Sequence, residues 1–230
     1  MCDRRFGTIM SLASTAPAGV PERRLRIGND GLQAAATRPA NPMISLPFRR
    51  TPPDPRIDAL YGMIVAQARS IEFYRNYGVP DTVAGRLDMI LLHLALLLRR
   101  FSAAGVQPSI GQGIFDRFCQ DMDDNFREMG VGDLAVPKEM RRVAEAFYGR
   151  AKAYEIALAA ADIAALEATV ARNVFNALQP PLGARRLAAY MLDARRRLSG
   201  RDAGALARAE FEFPDPAAIA QPAAHATPKP

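Results

Sequence analysis

Asp88-Met-Ile-Leu-Leu-His-Leu-Ala-Leu-Leu-Leu98-Arg99-Arg100 is the stretch that decides the fold. From Met89 to Leu98 ten consecutive residues are apolar apart from His93, so every side of this helix is oily. Nothing in it alternates as a half-buried strand would. A membrane span needs about 20 such residues. This run stops at half that length, closed by Asp88 on one side and Arg99 and Arg100 on the other. The pattern predicts a buried central helix over roughly residues 82–104.

Upstream, Thr51-Pro-Pro-Asp-Pro55 has the chemistry of a helix entry, with Asp54 as N-cap and Pro55 at the first helical position. Ile57, Leu60, Tyr61, Ile64, Ala68, Ile71 and Tyr74 then fall on one face of a first helix that Gly78-Val79-Pro80 stops. Downstream, a third helix over about 108–129 aligns Ile110, Ile114, Phe115, Phe118, Met122, Phe126 and Met129. Gly130-Val-Gly-Asp ends it, and Pro137 opens a fourth helix carrying Met140, Val143, Phe147, Tyr154 and Leu158. Asp162 caps a fifth helix, with Ile163, Leu166, Val170, Val174 and Leu178 in register up to Pro180-Pro181. A sixth from Ala184 to Leu198 and a short seventh from about Asp202 to Phe211 complete an all-α, single-domain bundle of six or seven helices over residues 50–213.

The ends differ in composition. Residues 1–47 are rich in Gly, Pro, Ser, Thr, Arg and Ala without sustained periodicity, which predicts a disordered arm. Its Arg-rich, acid-poor character resembles a transit peptide, and Met43 offers the alternative that residues 1–42 are an over-extended gene start. Residues 214–230, rich in Pro and Ala, are expected to be a disordered tail.

The net charge of +6 suggests nucleic acid only until it is divided along the chain. Residues 1–50 carry +5, residues 51–150 carry −1 and residues 151–230 carry +2. The helical domain is therefore near neutral. Its Arg pairs lack a recognition helix or interleaved stacking aromatics, which argues against sequence-specific nucleic-acid binding. Phosphate contact alone, with ribosomal RNA or lipid headgroups, stays open.

Two histidines and two cysteines restrict the chemistry further. Cys2 and Cys119 form no metal-ligand spacing, and no nucleophile has a recognisable partner. His93, amid Leu91, Leu92, Leu94 and Leu96, reads as a buried histidine satisfied by hydrogen bonding. No catalytic residue, metal or cofactor is expected. The acidic run Asp121-Met-Asp123-Asp124-Asn-Phe-Arg127-Glu128 has carboxylates at helical spacing, as in magnesium-dependent isoprenoid-diphosphate enzymes. Those need a second aspartate-rich helix, which is missing from the sequence. A solvated or protein-binding face is the better reading. Phe73-Tyr74-Arg-Asn-Tyr77 holds more aromatic surface than one core stripe absorbs, so part of it is expected to line a groove.

Phe73-Tyr-Arg-Asn-Tyr-Gly-Val-Pro80, Asp88-Met-Ile-Leu-Leu-His-Leu94, Phe118-Cys-Gln-Asp-Met-Asp-Asp-Asn-Phe-Arg-Glu-Met-Gly-Val-Gly-Asp133 and Ala171-Arg-Asn-Val-Phe175 together resemble the ubiquinol–cytochrome c chaperone family. The likeness extends over about residues 56–178 and is strongest from Asp121 to Lys138. It is nearer to alphaproteobacterial members, since mitochondrial ones commonly have Trp where Ala171 stands and this chain has no Trp. The resemblance implies a non-enzymatic helical chaperone that binds newly made cytochrome b, or another bc1 subunit, and assists assembly of the bc1 complex. It also implies a cytoplasmic site of action, peripheral at the inner membrane, with the ribosome or membrane surface as further partners. A generic helical adaptor is the alternative without respiration. A holdase needs an apolar groove rimmed by charge. Phe73, Tyr74 and Tyr77 are expected in the groove, with Asp123, Asp124, Arg127 and Glu128 forming a polar recognition face.

Overall fold

The structure, a computed structural model, describes residues 54–160 and 162–220. Eight α-helices occur among the described residues, and no strand: α1 Pro55–Ala68, α2 Ile71–Arg75, α3 Val83–Ala104, α4 Pro108–Glu128, α5 Val136–Ala159, α6 Ile163–Val174, α7 Leu182–Ser199 and α8 Ala203–Ala207. A 3-10 turn follows at Pro216–Ala218. The arm expected at 1–47, and residues 221–230 of the expected tail, lie outside the described residues.

Helix α3 is the axis of the bundle, in contact with α1, α4, α5, α6, α7 and α8. All ten residues from Met89 to Leu98 are buried, as their unbroken apolar character predicts. Thr82 caps the helix by accepting from Gly85 N at 3.1 Å, and Gly105, at φ +69°, ends it in the left-handed region. Around this axis α1 packs on α4, α5 on α6 and α6 on α7. Asp88 on α3 pairs with Arg150 on α5 at 2.7 Å. Burial outweighs the arginine and pushes the Asp88 carboxyl up to about 6. At the far end Arg100 donates to the carbonyls of Leu198, Ser199 and Arg201, satisfying the exposed C-terminus of α7.

Three boundaries differ from the sequence expectation. The first helix breaks at Arg69 and Ser70, and the shift in register sends Phe73 inward, fully buried, while Ile71 is 57% exposed. The fifth predicted helix stops at Val174, four residues early, because Asn176 takes a left-handed φ of 49° and Ala177 N donates to Ala171 O. Leu178, expected inside, is 94% exposed. The seventh predicted helix ends at Ala207 and Ala209 turns at φ 60°.

Beyond Ala209 the chain runs as a strap over α1, α2 and α7. Phe211, Phe213, Pro214 and Pro216 are buried. Residues 214–219 are therefore not part of a disordered tail. Their carbonyl groups have fixed donors: Gln67 Nε2 to Pro214 O at 2.9 Å, Tyr77 Oη to Pro216 O at 2.8 Å and Arg186 Nε to Ile219 O at 3.1 Å. Prolines lack an N–H, so a Pro-rich segment buried this way leaves few backbone donors to satisfy.

Candidate functional site

The C-terminal half of α4 outruns the core. Ile110, Ile114, Phe115 and Phe118 are buried along its apolar stripe, but Met122 and Phe126 on the same stripe are half-buried and Met129 is 56% exposed. The turn that follows brings up Leu134, which is 98% exposed. The α4–α5 tip thus carries several apolar side chains that no described element covers fully, and exposed apolar surface of this kind is a candidate for a binding role.

Charge holds this tip in shape. Arg127 on the last turn of α4 donates from Nε to Asp123 Oδ2 at 2.7 Å and from Nη1 to Asp133 in the turn. Gly130 allows the reversal with φ +81°, and Val131 N donates to Phe126 O at 3.0 Å. Asp124 and Glu128 are exposed and have no ion-pair partner among the described residues. Of the four residues expected to form a recognition face, Asp123 and Arg127 brace the turn, whereas Asp124 and Glu128 present unpaired carboxylates to solvent. Met129 and Leu134 are the strongly exposed apolar side chains of the same tip. Sequence reasoning placed Met129 in the core stripe and passed over Leu134, a lone apolar residue in a turn; its lack of a periodic partner was the signal available.

Asp121 belongs to the structural side of α4. It accepts from Tyr61 Oη at 2.7 Å, and Arg117 lies 5.3 Å from the Tyr61 ring while bonding Asp58 at 3.1 Å. Burial, then the bond to Asp121, raises the Tyr61 hydroxyl well above the usual tyrosine range. Among the described residues no group of three His, Cys, Asp or Glu is placed to hold a metal ion.

The expected aromatic groove is not formed by Phe73 and Tyr77. Phe73 has no exposure and Tyr77 has 2%. Phe73 meets the rings of Tyr190, Tyr77 and His93 edge-on at 4.9, 5.2 and 5.7 Å. The reason is tertiary: α2 turns one ring toward α3 and α7, while the strap lies over the other. Arg186, 4.2 Å above the Tyr77 ring, bonds Glu72 at 3.3 Å and Pro216 O at 3.4 Å. Tyr77 is pushed up to about 12 by burial. Tyr74 alone of the three is partly open; its hydroxyl donates to Ala68 O at 2.7 Å.

At the centre His93 is fully buried and bonded on both nitrogens, with Met89 O at 2.8 Å from Nδ1 and Tyr190 Oη at 2.8 Å from Nε2. A helix carbonyl only accepts, so Nδ1 carries the proton and Nε2 accepts from the tyrosine. Gln67 Nε2 in turn donates to Tyr190 Oη at 3.0 Å. Burial lowers the histidine to about 4, so it stays neutral. With no open side toward a reacting group, this set works as a polar lock within the core.

No curated protein matches the chain. The crystal structure of a Cbp3 homolog from Brucella abortus is similar to it, with 38% identity and a TM-score of 0.66 over 73% of this chain and 93% of the other. The family model described as ubiquinol–cytochrome C chaperone matches residues 75–213, a span from the end of α2 to the start of the strap that includes the α4–α5 tip. The chain belongs to the ubiquinol–cytochrome c chaperone family.

Proposed function

We propose that this protein is a non-enzymatic assembly chaperone that binds newly made cytochrome b and assists its incorporation into the bc1 complex. Family membership over residues 75–213 is the observation that carries the reading. The α4–α5 tip supplies a surface of the right kind: Met122, Phe126, Met129 and Leu134 offer pliant apolar contact, and Asp124 and Glu128 keep that surface solvated when the client is absent. The buried polar groups are spent on the fold, as with His93, or on bracing, as with Arg127. Among the described residues no helix is long and apolar enough to cross a membrane. Separately from that, the proposed reading has the protein meet its client from the cytoplasmic side of the inner membrane.

Deleting the gene and recording the cytochrome b absorbance of isolated membranes tests this. Loss of the b-type signal, restored by the wild-type gene, is expected. An undiminished signal with active bc1 complex would refute the reading and leave a helical adaptor of another pathway.

A further inference from the structure

Where α1, α2 and α3 meet, Arg69, Ile71, Tyr74, Arg75, Asp81 and Arg86 line a recess of about 290 Å³. Three guanidiniums stand there against one carboxylate. Arg86 is committed to Asp81, with Nε 2.6 Å from Oδ1, and its guanidinium lies 5.8 Å from the Tyr74 ring centre. Arg69 and Arg75 are exposed, and neither side chain has a hydrogen bond or ion pair among the described residues. Two uncompensated cations thus share one concave surface.

The lining also holds an aliphatic side chain. Ile71 is 57% exposed, and Val83, outside the lining and three residues before Arg86 on α3, is 72% exposed. The break at Ser70 causes the first of these, since a continuous helix would have buried Ile71. Free arginines beside solvated aliphatic side chains suit a bilayer interface, where cations meet phosphates and short apolar groups enter the acyl boundary. Single-stranded nucleic acid fits less well. It needs an open ring face for base stacking, and Tyr74, the recess's aromatic ring, is half-buried with its hydroxyl held by Ala68 O.

We propose that this recess is a docking site for anionic phospholipid, through which the protein rests on a membrane surface. The site is separate from the α4–α5 tip, and its occupancy does not depend on the chaperone reading.

Flotation of the purified full-length chain with vesicles tests the site without any client. Binding is expected to vesicles of phosphatidylcholine with about 30 mol% phosphatidylglycerol, weakening as salt rises, and not to phosphatidylcholine alone. At about 1 kcal/mol per arginine near an anionic surface, R69Q/R75Q should bind about thirtyfold more weakly. Ile71→Ser should also weaken binding, and the circular dichroism melt of each variant checks that it is folded. The proposal is overturned if the wild type ignores anionic vesicles, or if R69Q/R75Q floats as well as wild type. It also falls if Arg69 and Arg75 instead bind polyuridylate or an acidic peptide while vesicles are ignored. A variant that loses vesicle binding yet keeps normal membrane cytochrome b would leave the docking site standing and detach it from the chaperone role.

Discussion

Tyr190 donates its hydroxyl proton to His93 Nε2 across 2.8 Å, joining α7 to α3 at the fully buried centre of the bundle. The histidine is held at about 4, below its ordinary 6.5. As pH falls, the unfolded chain takes up this proton first, so the stability is complete above pH 6.5 and is lost progressively toward pH 4. The loss amounts to about 3 kcal/mol. Asp88 acts in the same window with the opposite sign, because its raised carboxyl favours the folded state as pH drops from about 6 to 3.8. Urea melts of Asp88→Asn and of the double variant Asp88→Asn/His93→Gln separate the two. The stability gap between them should shrink on acidification, and a gap constant from pH 7 to 4 would disprove the neutral buried histidine.

Gly183 sits where a side chain has no room. A Cβ there would fall 1.7 Å from Tyr77 O and 3.2 Å from Phe175 Cε1, whereas one at Gly149 on α5 meets nothing within 4 Å. Gly183→Ala should cost about 2 kcal/mol as the start of α7 is forced off the α2–α3 loop. Gly149→Ala should raise stability by about 0.5–1 kcal/mol through helix propensity. Denaturant midpoints for the pair decide the matter; equal shifts would mean that the approach of α7 to Tyr77 is looser than described.

Partner contact at the α4–α5 tip separates from folding. Leu134 is 98% exposed and Asp124 is unpaired, so Leu134→Ser and Asp124→Lys should each change stability by less than about 0.5 kcal/mol. Both should lower co-purification of cytochrome b and its accumulation in membranes. Asp123→Lys is expected to reduce capture too, with some local loosening, since it removes the brace to Arg127. Normal capture by the Leu134 and Asp124 variants would move the client surface elsewhere.

Truncation after Phe213 strips acceptors from Gln67, Tyr77 and Arg186. Arg186 is 7% exposed, so the loss should cost at least about 2 kcal/mol relative to a chain ending at Ala220. Thermal melts of the two truncations measure it. Identical melting temperatures would show that the strap adds nothing to the fold.

Much of this architecture could be read from periodicity. Met89 to Leu98 announces its burial because apolar residues cover all faces, and Asp54 and Asp162 mark helix starts by a local hydrogen bond. What could not be read is tertiary. Ile71 and Phe73 are both apolar, and only the break at Ser70 decides which turns inward. Phe73 and Tyr77 exceed the capacity of one helical stripe, yet a second helix and the strap supply the missing cover. The Pro-rich composition after Phe213 resembles disorder because its partners, Gln67, Tyr77 and Arg186, lie far away in sequence. On α4, Met122, Phe126 and Met129 continue a pattern that does not record where the neighbouring helices end.

The strap also sets an order of events during synthesis. Phe213 lies edge-on to His93 at 5.1 Å, and the residues just after it hold α1, α2 and α7. The contacts with His93, Gln67 and Tyr77 join segments separated by more than a hundred positions, the kind of pairing that forms late and slowly. While residues 211–219 are still within the ribosome, the aromatic centre around His93 is open on one side. The core is therefore sealed only once residues 211–219 have emerged, and until then it is itself in need of protection.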